Sequence, residues 1–347
     1  MKTKFIFSLL VLISIYGCKC KNSEGCKQQT SYNNSTDRDD QYLGGIKMIP
    51  IQTPKGEFNV WTKRVGNNPS MKVLLLHGGP GMTHEIYESF DGYFPNEGIE
   101  YYYYDQLGSY YSDQPEDLSL WDLDRFVEEV EQVRIALGLD NSNFYLYGQS
   151  WGGLLSMQYA LKYQQNLKGL IISNMVPSIP DYQTYSDTVL APQLDPDVLE
   201  EIMYYENRED YTNPRYMELL MNNYYTEHII RMPVSQWPEP LNRSFKHINH
   251  DVYVTMQGPS EFGVKGDATL KYWDVKEELK KISVPTLSIG ATYDTMDPKQ
   301  MEFIANEVQN GRFLLCPNGS HLSQFDDQKI YFEGLIKFIK DVDNNIF

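Results

Sequence analysis

Residues 143–163 read NFYLYGQSWGGLLSMQYALKY, and this stretch restricts the possible folds more than any other part of the chain. Asn143–Tyr147 is a short, continuous apolar and aromatic run, the kind buried on both faces of a parallel sheet. Gly152–Tyr163 has the composition and length of a helix. Between them lies the turn Gly148-Gln149-Ser150-Trp151-Gly152-Gly153, whose small residues let strand and helix pack closely around Ser150. A strand that passes at once into a helix commits the chain to β–α alternation. Comparable runs recur at Ile46–Gln52, Phe58–Val65, Val73–His77, Ile99–Asp105, Leu167–Ser173, Thr286–Gly290 and Arg312–Cys316. Helical patterns separate several of them. Asp122–Leu137 keeps one apolar stripe through Leu123, Phe126, Val130, Val133 and Leu137, Pro298–Val308 opens on a proline, and Gln328–Ile339 closes the chain. The expectation is an α/β fold with a doubly wound, mostly parallel sheet.

The alternation stops between Pro177 and Trp273, a stretch rich in Tyr, Met, Asn and Glu. Its patterns predict helices over Pro196–Tyr205, Pro214–Ile230 and Arg243–Met256. Because core strands flank it, 177–273 reads as a helical cap inserted into a core of 46–176 and 274–347. Open α/β sheets bind ligands at the carboxyl ends of their strands, and the cap is expected to lie there.

Chemistry concentrates in the same places. A strand–turn–helix elbow holds a serine in a strained turn with its hydroxyl above the sheet, so Ser150 is the candidate nucleophile. The helix start adds backbone N–H groups and positive dipole for a developing oxyanion. Such an elbow is followed in chain order by an acid and a histidine. Of six histidines only His321, in the polar loop Pro317–His321, lies after the last strand. The acid should end the preceding strand, where Asp294 is the choice and Asp297 the competitor. His77-Gly78-Gly79-Pro80-Gly81 follows the strand at Val73. Its glycines allow close backbone approach, which suits Gly79 as one oxyanion donor and the N–H of Trp151 as the other.

The chain has 347 residues with 47 acidic against 30 Lys and Arg, a formal charge of -17. That balance argues against a nucleic-acid backbone as partner and favours a cationic or at least non-anionic ligand. Lys2 and Lys4 precede the apolar run Phe5–Gly17, which is too short to span a bilayer and suits a signal peptide over 1–17. The run ends Ile15-Tyr16-Gly17-Cys18, similar to a bacterial lipobox with Cys18 as the acylated first residue of the mature chain. A lipid anchor at Cys18 in a bacterial cell envelope is the expectation, with plain secretion as the alternative. Residues 18–45 read as a flexible tether carrying Cys20 and Cys26, which could pair in an oxidising compartment. Cys316 reads as a small core residue.

Taken together, HGGPG at 77–81 and GQSWGG at 148–153 with a helical insertion resemble the proline iminopeptidases (prolyl aminopeptidases) of the α/β-hydrolase fold, including the tricorn-interacting aminopeptidases. The resemblance covers about residues 46–345 and extends to Tyr104-Asp105-Gln106, Gly258-Pro259-Ser260-Glu261-Phe262 and Ser320-His321-Leu322. It implies removal of an N-terminal residue, often proline, from short peptides, with no metal or organic cofactor. It also implies that Glu261 binds the substrate's free amine, a role suited to charge-assisted hydrogen bonds. Two departures concern specificity. Thr295 stands where the tricorn-interacting enzymes carry a second Glu, and Tyr110 or Tyr111, after Leu107-Gly108-Ser109, is placed to narrow the pocket. Other readings are an esterase or lactonase of the same fold and a non-catalytic peptide-binding lipoprotein. A metal site on His247 and His250, spaced to share one helix face, lacks the companion ligands such sites need.

Overall fold

The computed structural model describes residues 31–35 and 38–347. Eight strands form one sheet: β1 Ile46–Thr53, β2 Gly56–Val65, β3 Lys72–Leu76, β4 Glu100–Asp105, β5 Phe144–Gln149, β6 Gly169–Ser173, β7 Thr286–Ala291 and β8 Gly311–Cys316. Their order is β1-β2-β4-β3-β5-β6-β7-β8. β2 runs antiparallel to both β1 and β4, and all other pairs are parallel. Each strand expected from an apolar run is present.

Strands β4, β5, β6 and β7 are buried at every residue, because helices cover both faces. Alternate side chains feed two cores. On one face Leu74, Leu76, Leu146 and Ile172 pack with α1 (Leu123–Ala136), α2 (Trp151–Tyr163) and the later helix Pro298–Glu307. On the other face Val73, Leu75, Tyr145, Tyr147 and Ile171 pack with Phe90, Phe94 and the C-terminal helix Gln328–Asp343. This period-two split identifies a strand buried on two sides. Cys316 sits wholly in the second core, where burial pushes its thiol up to about 12.

Between β6 and β7 the chain forms α3 Ile179–Tyr185, α4 Pro196–Glu206, α5 Pro214–Leu220, α6 Thr226–His228, α7 Glu239–Lys246 and α8 His250–Met256. After β7 come α9 Pro298–Glu307, α10 Ser323–Asp326 and α11 Gln328–Asp343. A π turn, Met221–Tyr225, joins α5 to α6 without a break. The single helix expected over Arg243–Met256 is instead two, α7 and α8. The break has a physical cause. Asn249 donates its backbone N–H to Gly81 O at 2.9 Å and its side-chain amide to Gly108 O at 2.8 Å. Its Oδ1 then caps α8 by accepting from Asp251 and Val252. Docking onto two core loops outweighs one more turn of helix. The break also removes the helical spacing that linked His247 to His250.

The stretch expected as a tether is anchored in its described part. Tyr32 Oη donates to Ile99 O at 2.9 Å, Arg38 donates to Gly66 O at 2.8 Å, and the Asp40 carboxylate accepts from Arg64 at 2.9 Å. One aromatic ring and a buried carboxylate are enough to hold a polar segment that composition alone reads as loose. The signal peptide, Cys18 and the pair Cys20 and Cys26 lie outside the described residues.

The parallel register brings the functional loops to one level. Leu76 of β3 pairs with Gly148 of β5, and Gln149 pairs with Ser173 of β6, which pairs with Ile289 of β7. The loops after these strands therefore emerge side by side. At the centre the backbones touch: a Cβ on Gly152 would lie 2.0 Å from Leu76 O, and one on Gly148 would lie 1.9 Å from Gly152 O. Neither obstacle is a flexible side chain. Gly152→Ala is expected to cost at least about 3 kcal/mol in urea denaturation. A cost below about 1 kcal/mol would mean that strand and helix separate easily there.

Candidate active site

Among the described residues Ser150 is one of four non-glycine residues with positive φ, at φ 55° and ψ -128°. Side chains rarely adopt this conformation, and it persists only where the surroundings enforce it. Here Ser150 N donates to Ser173 O at 3.0 Å, while Ser150 O accepts from Gly153 N at 2.7 Å and Leu154 N at 3.1 Å. One side is thus tied to β6 and the other to the first turn of α2. The side chain faces a cavity of about 300 Å³, whose wall also includes Gly79, Glu261 and His321.

The Asp294 carboxylate accepts from His321 Nδ1 at 2.7 Å, with both side chains buried. Asp297, the competitor, caps α9 by accepting from Lys299 N at 3.0 Å. With Nδ1 taken by the carboxylate, Nε2 is the ring nitrogen left for chemistry. The His321 loop is fixed through its backbone. His321 N donates to His228 O and Leu322 N to Ile229 O, each at 2.9 Å, and His321 O accepts from Gln149 Nε2 at 3.0 Å. Burial works to lower the imidazole's pKa, but the adjoining Asp294 carboxylate outweighs it and the net shift is upward.

The glycine loop lies against the nucleophile. A Cβ on Gly78 would come within 3.1 Å of Ser150 Cβ. His77 Nδ1 is 2.9 Å from Gly78 O, and His77 Nε2 accepts from Gln106 N at 3.1 Å, which makes Nδ1 the protonated nitrogen. This bond fixes the Gly78–Gly79 peptide plane, and in a trans peptide the Gly79 N–H points opposite to the held carbonyl. Burial lowers the pKa of His77, in keeping with a neutral ring. The Gln106 side chain accepts from Trp151 Nε1 at 2.8 Å and donates to His77 O at 3.2 Å, so one side chain braces both loops. The N–H of Trp151 opens α2, where backbone donors have no acceptor within the helix.

Glu261 lines the same cavity, from the segment between α8 and β7. Its Oε1 accepts from Tyr253 Oη at 2.6 Å, its N–H donates to Tyr225 Oη at 2.9 Å, and its carbonyl accepts from Tyr182 Oη at 2.7 Å. Burial raises its pKa, and neighbouring Asp294 adds to this, against the opposing influence of His321 and Tyr253. The remaining wall is largely apolar. Met217, Met221, Tyr225 and Ile229 contribute from one continuous helical rod, and Phe245 and Ile248 from the α7–α8 junction.

Several residues fall elsewhere than expected. Tyr110 stacks on His247 with ring centres 3.8 Å apart, and Tyr111 Oη donates to Glu85 at 2.9 Å. Both stand outside the cavity wall and do not narrow it. Thr295 is fully buried, with its hydroxyl 3.3 Å from Asp294 Oδ1 and 3.4 Å from His321 Nδ1. The position expected to hold a second amine-binding acid therefore faces the Asp–His pair. His247 pairs with Glu85 at 2.9 Å, whereas His250 faces the cavity. Among the described residues, no group of three or more His, Cys, Asp or Glu is arranged to hold a metal. The three tyrosines around Glu261 and the residue Asn174 escaped the reading of the sequence. The only available signal was the abundance of Tyr in 177–273.

The Asp294–His321 pair carries a measurable consequence. Because the folded imidazole titrates above its ordinary ~6.5, the pair adds stability below about pH 6.5 and loses it as pH rises through the folded value. NMR titration of the His321 ring is expected to give a midpoint above ~6.5 that falls in Asp294→Asn, where burial is less opposed. An unchanged midpoint in that variant would contradict the assigned cause.

The α/β hydrolase fold family matches residues 72–328. The chain is 61% identical over 300 residues to a proline iminopeptidase of Elizabethkingia meningoseptica, covering 86% of this chain and 100% of that protein. It is 59% identical over 297 residues to a proline iminopeptidase of Flavobacterium johnsoniae, covering 86% and 99%. The crystal structure of VinJ superposes with a TM-score of 0.78 at 27% identity, over 85% of this chain and 99% of that one. On the sheet order, the serine elbow and these similarities, the chain belongs to the proline iminopeptidase family of α/β hydrolases.

Proposed function

We propose that the protein is a proline iminopeptidase, a serine aminopeptidase that releases N-terminal residues, preferentially proline, from short peptides. The observation that carries this reading is one small cavity whose lining brings Ser150, His321 and Glu261 together. A hydrolase that acts on blocked ends has no use for a carboxylate there, whereas an exopeptidase must recognise an ammonium group beside the scissile carbonyl. Burial makes the Glu261 carboxylate costly when alone, so a cation delivered to it gains a strong charge-assisted bond.

In this mechanism Ser150 Oγ attacks the carbonyl carbon of the N-terminal residue while His321 Nε2 takes the hydroxyl proton. Asp294 holds the ring in the required tautomer and stabilises the imidazolium. The N–H groups of Gly79 and Trp151 receive the oxyanion. His321 then gives its proton to the departing amine of the shortened peptide. Water, deprotonated by the same imidazole, hydrolyses the acyl-enzyme and frees the amino acid. The helices of 177–273 act as a cap that excludes long or folded chains.

Rates on prolyl, alanyl and leucyl anilides beside their N-acetylated forms test the reading. Free amines should react faster by about 100-fold or more, with proline preferred, and Glu261→Gln should remove most of that advantage. Ser150→Ala should abolish both turnover and fluorophosphonate labelling. Equal rates on free and blocked amines would favour the esterase reading instead.

We also infer from the lipobox-like Ile15–Cys18 that Cys18 is acylated and anchors the enzyme in a bacterial cell envelope. Incorporation of labelled palmitate into the expressed protein, absent in Cys18→Ala, is the expected outcome. A protein released unlabelled into the medium would replace the anchor with secretion.

A further inference from the structure

Asn174 is the first residue after β6, wholly buried and in the left-handed region at φ 51°. Asn is one of the few residues that tolerate this region. There it replaces the next ladder position with a side chain turned among the loops after β6, β7 and β8. Every hydrogen-bonding position of its amide is used. Nδ2 donates to Asp294 Oδ2 at 2.7 Å and to Ser320 O at 3.2 Å. Oδ1 accepts from Ser173 Oγ at 2.7 Å and from Ser323 Oγ at 3.1 Å. Its backbone N–H donates to Ile289 O at 2.8 Å.

These bonds divide the work on Asp294. Oδ1 receives His321 Nδ1, the Met296 N–H at 3.1 Å and the Thr295 hydroxyl at 3.3 Å. Among the described residues, Asn174 is the one hydrogen-bond donor to Oδ2. A carboxylate held only through Oδ1 can still turn about its Cβ–Cγ bond, and a second anchor on Oδ2 stops that rotation. The same amide group holds the carbonyl of Ser320, the residue directly before His321. One side chain therefore spans acid and base, fixing the carboxylate by one N–H and the imidazole loop by the other. Ser173 Oγ also lies 2.9 Å from Tyr331 Oη, which ties the arrangement to α11. A buried amide with four partners in place has little freedom to relax.

We propose that Asn174 is a positioning residue for the hydrolytic reaction, locking the Asp294 carboxylate and the His321 loop in mutual register from the end of β6. The proposal rests on the assignment of Asp294 and His321 as catalytic and extends it. It concerns the chemical step, because Asn174 is absent from the cavity wall that meets substrate.

The test is a double-mutant cycle on a prolyl anilide, with kcat, KM and Tm measured for each protein. Asn174→Gly keeps the left-handed backbone and removes the amide. Asn174→Ser shortens the side chain out of reach of Oδ2 without adding charge, and it serves if the glycine variant does not fold. Either is expected to lower kcat about 10- to 100-fold with KM within about twofold. In an Asp294→Asn background the same substitution should change kcat by less than about twofold, because the group through which it acts has gone. An equal loss of kcat in both backgrounds would assign Asn174 a general structural role and overturn the proposal, as would wild-type kcat in a variant with lowered Tm. If Asp294→Asn alone retained full kcat, the catalytic assignment itself would fail, and the cycle reports that separately.

Discussion

The backbone of Ser150 is where the whole arrangement is determined. A serine at φ 55° is strained by about 1–3 kcal/mol, which the fold has to offset elsewhere. It does so by pressing three backbones together: β5 at Gly148, α2 at Gly152 and β3 at Leu76. Nothing larger than hydrogen fits at either glycine. The contact sets the level at which β3 ends relative to β5, hence where the His77–Gly81 loop begins. It also aims the first N–H of α2 into the same space as the serine side chain. A nucleophile, an oxyanion donor and the loop carrying a second donor therefore share one steric constraint. His77 and Gln106 then hold the two loops at the distance this contact sets.

Electrostatics adds the next level. The site gathers Asp294, Glu261 and His321 in a largely apolar enclosure, where charges interact more strongly than in water. Asp294 raises the pKa of His321, and burial together with Asp294 raises that of Glu261. For Glu261 burial is the first cause, while for His321 burial pulls the other way and the Asp294 charge leads the upward shift, so both shifts register carboxylate charge held away from water, an imbalance toward the negative. A cationic amine placed beside Glu261 relieves that imbalance, whereas an anionic end in the same place would increase it. The net charge of -17 favours the same sign of ligand at longer range.

How much of this was legible in the sequence depends on the range of the forces involved. The strands were readable because burial on both faces leaves an unbroken apolar run such as Tyr145–Tyr147 or Leu170–Ile172. The Ser150 elbow was readable because its glycines are a local steric requirement. The order of acid and histidine followed from topology, and the observed Asp294–His321 contact agrees with that order. The division of 243–256 into α7 and α8 was not readable, since Asn249 obeys partners at Gly81 and Gly108 that lie more than 140 positions away in the chain. Thr295 and Tyr111 look local in the sequence, yet their directions are set with His321 and Glu85, each 26 positions away. Asn174 has no motif at all. Its significance arises only where the ends of β6, β7 and β8 meet.

The link between pocket and base follows from the same topology. Met217, Met221, Tyr225 and Ile229 recur at intervals of four, a spacing that drifts around an ordinary α-helix of 3.6 residues per turn. The π turn at Met221–Tyr225 absorbs that drift and keeps all four on the cavity side. The rod then ends at His228 and Ile229, whose carbonyls accept the N–H groups of His321 and Leu322. Substrate wall and general base are thus consecutive parts of one hydrogen-bonded unit. These two backbone bonds give a rearrangement along the rod a direct physical path to the imidazole loop. Another part of the wall, Phe245 of α7 and Ile248 of the α7–α8 junction, belongs to a segment bonded instead to Gly81 and Gly108, and among the described residues no hydrogen bond joins it to the His321 loop. Pocket shape has more freedom to vary on that part of the wall without disturbing the proton relay.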